Sequence, residues 1–423
     1  MESYLPRALD AMLDTYQPQL PAVEIYGARG VGKTQTAMRR AVSSLRLDLP
    51  TDQERFKADP AILNELPGPV LIDEWSRVPE SWDMVRRAVD DGAPAGRFLL
   101  TGSASVPKGV VVHSGAGRIV RMRMRPLTLA ERGVEQPSVS LADLLTGQPT
   151  ITGQTGIRLP DYVREITSSG FPGIRSQPEG VRRLLLDSYI SELMSREFTE
   201  QGHTVRKPNT LQAWLAAYGA ATASTATYNT IMEASTSGQA DKPSKSTTIA
   251  YRDTLWSLWM LDPLDAWLPT RNRLDQLGQS PKHFLVDPAI ACRLLNLSEK
   301  QLLQGDQGAV TRTEGSILGA LFEHLATLSL RVYAQVNEAE VYHLRTHRGD
   351  HAIDMIIQSR EGGILPVEVK LTQSVSDDDI RHIIWLREKL GSDYLGGMIL
   401  TTGEHAYRRH DGIAVVPLSL LGA

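Results

Sequence analysis

The sequence predicts an α/β protein in three parts: an N-terminal parallel sheet, a mainly helical middle and a smaller C-terminal α/β unit. Three observations carry that prediction. Short apolar runs alternate with segments of helical spacing over residues 1–125. A mainly helical pattern fills roughly 158–295, and a helix, three strands, a helix and a strand then follow between 314 and 401. At about 150 residues per domain, 423 residues agree with three domains, placed at 1–155, 156–305 and 306–423.

In the first part, Ala22-Val23-Glu24-Ile25-Tyr26, Val70-Leu71-Ile72-Asp73 and Phe98-Leu99-Leu100-Thr101 read as strands. The segments from Lys33 and from Trp82 to Asp91 read as helices, and strand–helix–strand order implies a parallel sheet. Residues 133–157, rich in Gly, Thr, Gln and Ser, read as a linker or surface excursion. In the middle part, Thr227–Glu233 and Thr247–Met260 read as helices, separated by an exposed loop and followed by a hairpin over Leu261–Val286. That order fits a winged helix, with Trp256 and Trp259 read as core residues. After a polar connection at 296–313, Glu314–Val332 reads as a long amphipathic helix. Strands near 340–345, 351–358 and 365–371, a helix near 376–390 and a strand at 395–401 complete the chain.

The composition, 41% hydrophobic and 22% charged, excludes a disordered, collagenous or disulfide-scaffold protein. The single Cys292 has no intrachain partner for a disulfide, which agrees with a reducing, cytoplasmic setting. No apolar run approaches the roughly 20 residues that span a bilayer. The densest, Leu255–Leu268, is interrupted by Asp262 and Asp265, so no membrane partner is expected. Met1-Glu2-Ser3-Tyr4 lacks the basic start of a signal peptide. A net charge of −4 argues against a chain coated in nucleic acid but leaves room for a focused channel.

Gly27-Ala28-Arg29-Gly30-Val31-Gly32-Lys33-Thr34 fits the phosphate-binding loop G-x-x-x-x-G-K-[ST], with a strand before it and a helix after it. Gly27, Gly30 and Gly32 let backbone N–H groups approach phosphate oxygens at a helix N-terminus. Lys33 would reach the β- and γ-phosphates, and Thr34 would hold Mg²⁺. Val70-Leu71-Ile72 ends in two carboxylates, of which Asp73 would bind Mg²⁺ through water and Glu74 would polarise the attacking water. Thr101 or Ser103, at the end of the third strand, would sense the γ-phosphate or simply cap the strand. The absence of an Asn-Lys-x-Asp motif favours ATP over GTP.

From Val120 to Arg125 the residues alternate, with Val120, Met122 and Met124 on one strand face and arginines on the other. Those arginines are either a solvated face or functional. In the functional reading, Arg118 reaches a neighbouring subunit's γ-phosphate as an arginine finger, which requires an oligomer.

In the last part, Glu323 lies on the first helix, Asp354 on a strand, and Glu368 with Lys370 on one face of the next strand. Three converging carboxylates suit Mg²⁺ or Mn²⁺, and Lys370 would position or help deprotonate a water. Gln373 and His382 are accessory candidates that also read as surface residues. Residues 314–402 resemble the PD-(D/E)XK nuclease superfamily in element order and in this residue set. They depart at Ala352-Ile353-Asp354, where the acid is kept but the naming proline is absent.

As a whole the chain resembles a bacterial and archaeal family of AAA-type P-loop ATPases. The resemblance rests on the phosphate loop, Ile72-Asp73-Glu74, Leu99-Leu100-Thr101-Gly102-Ser103, Gly117-Arg118, Gly170-Phe171-Pro172, Phe284-Leu285-Val286-Asp287-Pro288 and the acidic set above. It departs at Trp75-Ser76, where relatives usually carry Ile-Gln. The resemblance implies an ATPase core, a winged-helix region and a PD-(D/E)XK-like domain. The expected activity is an ATP-hydrolysing motor that binds and remodels DNA, branched or forked DNA included, as a ring such as a hexamer. Two alternatives stand beside it: an ATP-gated, metal-dependent nuclease of a mobile-element or defence system, and a nucleotide-switched, non-catalytic scaffold for DNA or protein.

Overall fold

The computed structural model describes residues 4–105, 113–147, 149–203, 205, 207–236, 243–268, 280–304, 316–346 and 349–423. Its first sheet has five strands, β1 (Ala22–Tyr26), β2 (Ser43–Arg46), β3 (Val70–Asp73), β4 (Phe98–Gly102) and β5 (Ile119–Arg123). They lie in the order β2-β3-β4-β1-β5 and all pair in parallel. The strand alternation sends Val23, Ile25, Leu71 and Leu99 to one apolar cluster and Ala22, Val70, Ile72, Phe98 and Leu100 to another. Buried on both faces, β3 and β4 are apolar without interruption until the residues that carry the chemistry. β2 went unread in the sequence because Ser43-Ser44-Leu45-Arg46 has one buried residue and sits at the sheet edge.

The first cluster does not stop at the first domain. It runs from Leu9 and Leu71 through Tyr162, Trp214 and Phe322 to Leu421, so all three parts share it. Helix Ile317–Val336, read from the sequence as a long amphipathic helix, passes through this core with 14 buried residues among its 20. A helix apolar all round belongs inside. Among the described residues, no helix is long and apolar enough to cross a membrane.

The segment read as a linker or surface excursion, 133–157, supplies two short strands, β6 (Val139–Ser140) and β7 (Gly153–Gln154). They pair with strands of the C-terminal part: β8 (Glu340–Arg345), β9 (Ala352–Gln358), β10 (Ile364–Val369), β11 (Met398–Thr401), β12 (His405–Arg408), β13 (Ala414–Pro417) and β14 (Leu421–Gly422). The large sheet has the order β7-β12-β13-β11-β10-β9-β8, and β14 pairs with β6. Helix Asp377–Leu390 begins with a capping box between Ser376 and Asp379 and carries acids in its first turn and bases in its last.

In the middle, helices Tyr228–Ala234 and Lys245–Ser257 form near their expected places. Leu261 bridges Leu285 and Leu264 bridges Lys282, both antiparallel, while the tip of that hairpin lies outside the described residues. Trp256, read as core, is 50% exposed, whereas Trp259 is half-buried against Tyr26 with ring centroids 4.6 Å apart. Two of the quoted sequence features meet at one carboxylate. Asp287, the N-cap of helix Pro288–Leu294, accepts hydrogen bonds from Ser169 Oγ at 3.1 Å and Gly170 N at 2.6 Å.

Candidate functional site

The phosphate loop follows β1 at the C-terminal edge of the first sheet, the usual position for ligands in parallel α/β sheets. Its geometry needs glycine at two points. Gly27 has φ +150°, and a Cβ there would stand 2.1 Å from the Met124 carbonyl oxygen; Gly32 has φ +106°. Arg7 braces the loop from outside, donating to Val31 O at 2.7 Å and to Arg125 O at 2.6 Å. Nothing local in the sequence around Arg7 signals that role.

Lys33 is buried and turned onto its own loop, donating to Gly27 O at 2.9 Å and Ala28 O at 3.0 Å. Burial pushes its pKa down to about 8, against the opposing pull of Glu74 and Asp73. Thr34 Oγ1 donates to Asp73 Oδ1 at 2.8 Å, and Thr101 Oγ1 donates to the same oxygen. The residues expected to hold Mg²⁺ are therefore within one hydrogen bond of each other, and hydroxyl and carboxylate oxygens are suitable ligands for it. Glu74 adopts a left-handed conformation, φ +54°, a strain of about 1–3 kcal/mol that tends to persist where function requires it. Its Oε2 accepts from Ser103 Oγ at 2.8 Å. Ser103 thus touches the candidate base directly.

At the departure position, Trp75 donates from Nε1 to Glu24 Oε1 at 3.0 Å and packs on Trp82 with centroids 4.5 Å apart. Its indole fills the space beneath the end of β4.

The roof of the pocket comes from the middle part and was not anticipated. Helix Glu179–Glu192 runs into a wider π turn, Leu193–Glu197, which aims Glu197 at the loop. Glu197 pairs with Arg29 at 3.4 Å and Glu200 with Arg77 at 3.1 Å. Burial raises the Glu197 pKa. Tyr189 Oη donates to Arg29 O at 3.1 Å, and Ser105 N donates to Ser257 O at 2.9 Å. The strand carrying Thr101 and Ser103 is therefore joined directly to the second of the expected winged-helix helices.

The arginine run divides, with Arg118 and Arg121 exposed and Arg123 and Arg125 withdrawn into ion pairs. Arg121 pairs with Glu24 and lies over the Tyr26 ring. Arg123 and Arg125 reach Asp262 at 2.9 and 2.7 Å, joined there by Arg331 at 3.1 Å. Burial alone would raise the Asp262 pKa, but the three guanidinium groups hold it well below the usual carboxylate range. On the other face, Met122 and Met124 are buried, but Val120 is 39% exposed because β5 is an edge strand. Arg118 pairs with Asp90 at 2.8 Å on the protein surface. It precedes β5, whose first residue is level with Ala22. It therefore lies roughly a strand length, about 15 Å, from the phosphate loop of its own chain.

In the C-terminal part, Glu323, Asp354 and Glu368 come together, but not around an open centre. Lys282 enters between two of them: its Nζ donates to Glu323 Oε1 at 2.6 Å and to Asp354 Oδ1 at 3.1 Å. Asp354 Oδ2 accepts from Val369 N at 2.9 Å, and Lys370 pairs with Glu368 Oε2 at 3.0 Å. Glu368 Oε1 is buried without a hydrogen-bond partner. Burial and Asp354 push Glu323 up to about 7 despite Lys282, and raise Glu368 well above the usual carboxylate range. Burial opposes ionisation of Asp354 too, yet Lys282 and Lys370 lower its pKa. Among the described residues, no three His, Cys, Asp or Glu side chains are grouped as a metal ion would require. Gln373 is exposed, and His382 contacts His351 at 3.1 Å rather than the acids.

Three family models match successive stretches of the chain. Residues 19–132 match the family of AAA domains. Residues 159–301 and 318–421 match two domains of unknown function, DUF8612 and DUF4143. The N-terminal segment is thus an AAA-type P-loop domain within a mixed α/β protein. Over 406 residues the chain is 25% identical to the uncharacterized protein Rv2008c of Mycobacterium tuberculosis and equally to the uncharacterized protein Mb2031c of Mycobacterium bovis. Each alignment covers 94% of this chain and 80% of the relative. Among solved structures, a Walker-type ATPase of Pyrococcus abyssi aligns at TM-score 0.39 and 13% identity, over 69% of this chain and 96% of that one. The ORC2 protein of Aeropyrum pernix aligns at 0.28 and 14%, over 70% and 95%.

Proposed function

We propose that the chain is an ATP-hydrolysing, DNA-processing motor whose nucleotide site drives the middle part. The observation that carries this reading is the convergence of Lys33, Thr34, Asp73, Glu74, Thr101 and Ser103 at the ends of β1, β3 and β4, beneath acids of the middle part. Lys33 leaves the carbonyls of Gly27 and Ala28 for the β- and γ-phosphates. Thr34 and Asp73 would hold Mg²⁺, which would supply neutralising charge at the phosphates. Glu74 orients and polarises water, and Ser103 sets the position of its carboxylate. An arriving phosphate competes with Glu197 for Arg29, so binding loosens the π turn and moves the helices above it.

DNA is the proposed partner because the middle helices and their hairpin fit the winged-helix order. In this reading Arg118 serves a neighbouring subunit's site in a ring, which its exposure and its distance of a strand length from its own loop support. A nucleotide-switched scaffold is the second reading. It is favoured by Arg123 and Arg125, which are committed to Asp262 rather than to a channel. ATP turnover measured with and without linear and forked DNA, beside mass in solution, separates the two. The motor predicts DNA-stimulated turnover by an assembly of several chains. A monomer whose turnover ignores DNA overturns it in favour of the scaffold.

A further inference from the structure

We infer that the carboxylate constellation of the C-terminal part is a lysine-filled lock, with the Lys282 ammonium standing where a divalent cation would otherwise sit. Its role is to fasten segment 280–286 to helix Ile317–Val336 and β9. This inference is independent of the nucleotide site.

Distances make the first argument. Mg²⁺ or Mn²⁺ shared by Glu323 and Asp354 would lie about 2.0–2.2 Å from an oxygen of each. Lys282 Nζ is already 2.6 and 3.1 Å from those same oxygens, so ammonium and metal exclude one another.

The second argument is that Lys282 is held, not draped. Its backbone exchanges two hydrogen bonds with Leu264, each 2.9 Å. His283, beside it, is buried and bonds the Ala226 carbonyl at 2.7 Å through Nε2. Two residues before, Ser280 O meets His343 Nε2 at 3.1 Å, and His343 itself bridges to Ala266 beside β9's neighbour β8. The lysine therefore enters the cluster from a strand pair docked on the edge of the C-terminal sheet.

Charge supplies the third argument. Asp354 has its second oxygen on the Val369 amide, and Glu368 has one oxygen on Lys370. Lys282 stands between Glu323 and Asp354, so all three acids already have a partner in the protein. Acids already paired in this way need no metal, whereas a dication between Glu323 and Asp354 would repel the nearly buried Lys282 ammonium.

The test uses the full, nucleotide-free chain and Mn²⁺ alone, followed by its electron-spin signal. Native protein and Glu323→Gln are expected to retain the same Mn²⁺, since any uptake at Thr34 and Asp73 is common to both. Native protein holding one additional Mn²⁺ that Glu323→Gln loses would overturn the lock. Thermal unfolding supplies the second readout. Lys282→Met is expected to lower the melting midpoint by about 10 °C, through the unpaired acids it leaves behind. Adding Glu323→Gln to that variant should recover part of the loss. A Lys282→Met protein as stable as the native one contradicts the lock; if it does not fold, the Mn²⁺ comparison decides alone.

Discussion

The molecule carries two sets of acids, one at the end of β3 and one shared by helix Ile317–Val336, β9 and β10, and they end in opposite states. At the N-terminal site, Asp73 is met by the hydroxyls of Thr34 and Thr101, and the nearby Lys33 is turned away onto loop carbonyls. At the C-terminal cluster, Glu323 and Asp354 are met by the ammonium of Lys282 itself. Hydroxyls share a carboxylate with an incoming cation and can become ligands beside it. An ammonium already is the cation. Acids brought together with a lysine are thus an ambiguous signal. What decides between a site and a brace is whether the lysine is withdrawn or inserted.

That contrast can be strained from either end. The largest effect is expected from Glu74→Gln, which keeps the shape of the N-terminal site and removes its base. Turnover should fall by about 10²–10⁴ while ATP stays bound. Equal turnover in single-cycle measurements would place the base elsewhere.

A smaller effect follows from the withdrawn state of Lys33. Its pKa near 8 in the free protein must rise when phosphate arrives, so binding takes up a proton above that pH. Nucleotide affinity should then weaken as pH rises from 8 towards 10, by up to about tenfold per unit. Calorimetry in buffers of different ionisation heat reads the proton directly, and Lys33→Met should abolish the uptake. A native affinity flat across that range contradicts the withdrawn-lysine account.

Much of this was legible in the sequence, for local reasons. The phosphate loop, the acids after β3 and the hydroxyls after β4 are each set within a few residues, and the structure brings them together. The helix, strands and helix of 317–401 were readable because their apolar periodicity is strong. The rest depended on partners far along the chain. The Arg121, Arg123 and Arg125 alternation is a true strand pattern, but its meaning lies in Glu24 and in Asp262. Glu197, over the phosphate loop, sits on a π turn that no spacing rule announces. Lys282 stands in a polar stretch of the middle part, with nothing nearby to link it to Glu323 or Asp354. Trp256 was misplaced because an aromatic at helical spacing reads as core, and here its helix turns that face outward.

The central claim is that the N-terminal site turns over ATP and that Lys33 is indispensable to it. Steady-state ATP hydrolysis by the native chain and by Lys33→Ala, with matched folding checked by circular dichroism, tests it most directly. The account predicts measurable hydrolysis by the native protein and a loss of at least about 10²-fold in the variant, as expected when a phosphate-clamping charge is removed. Equal hydrolysis by the two proteins would contradict it.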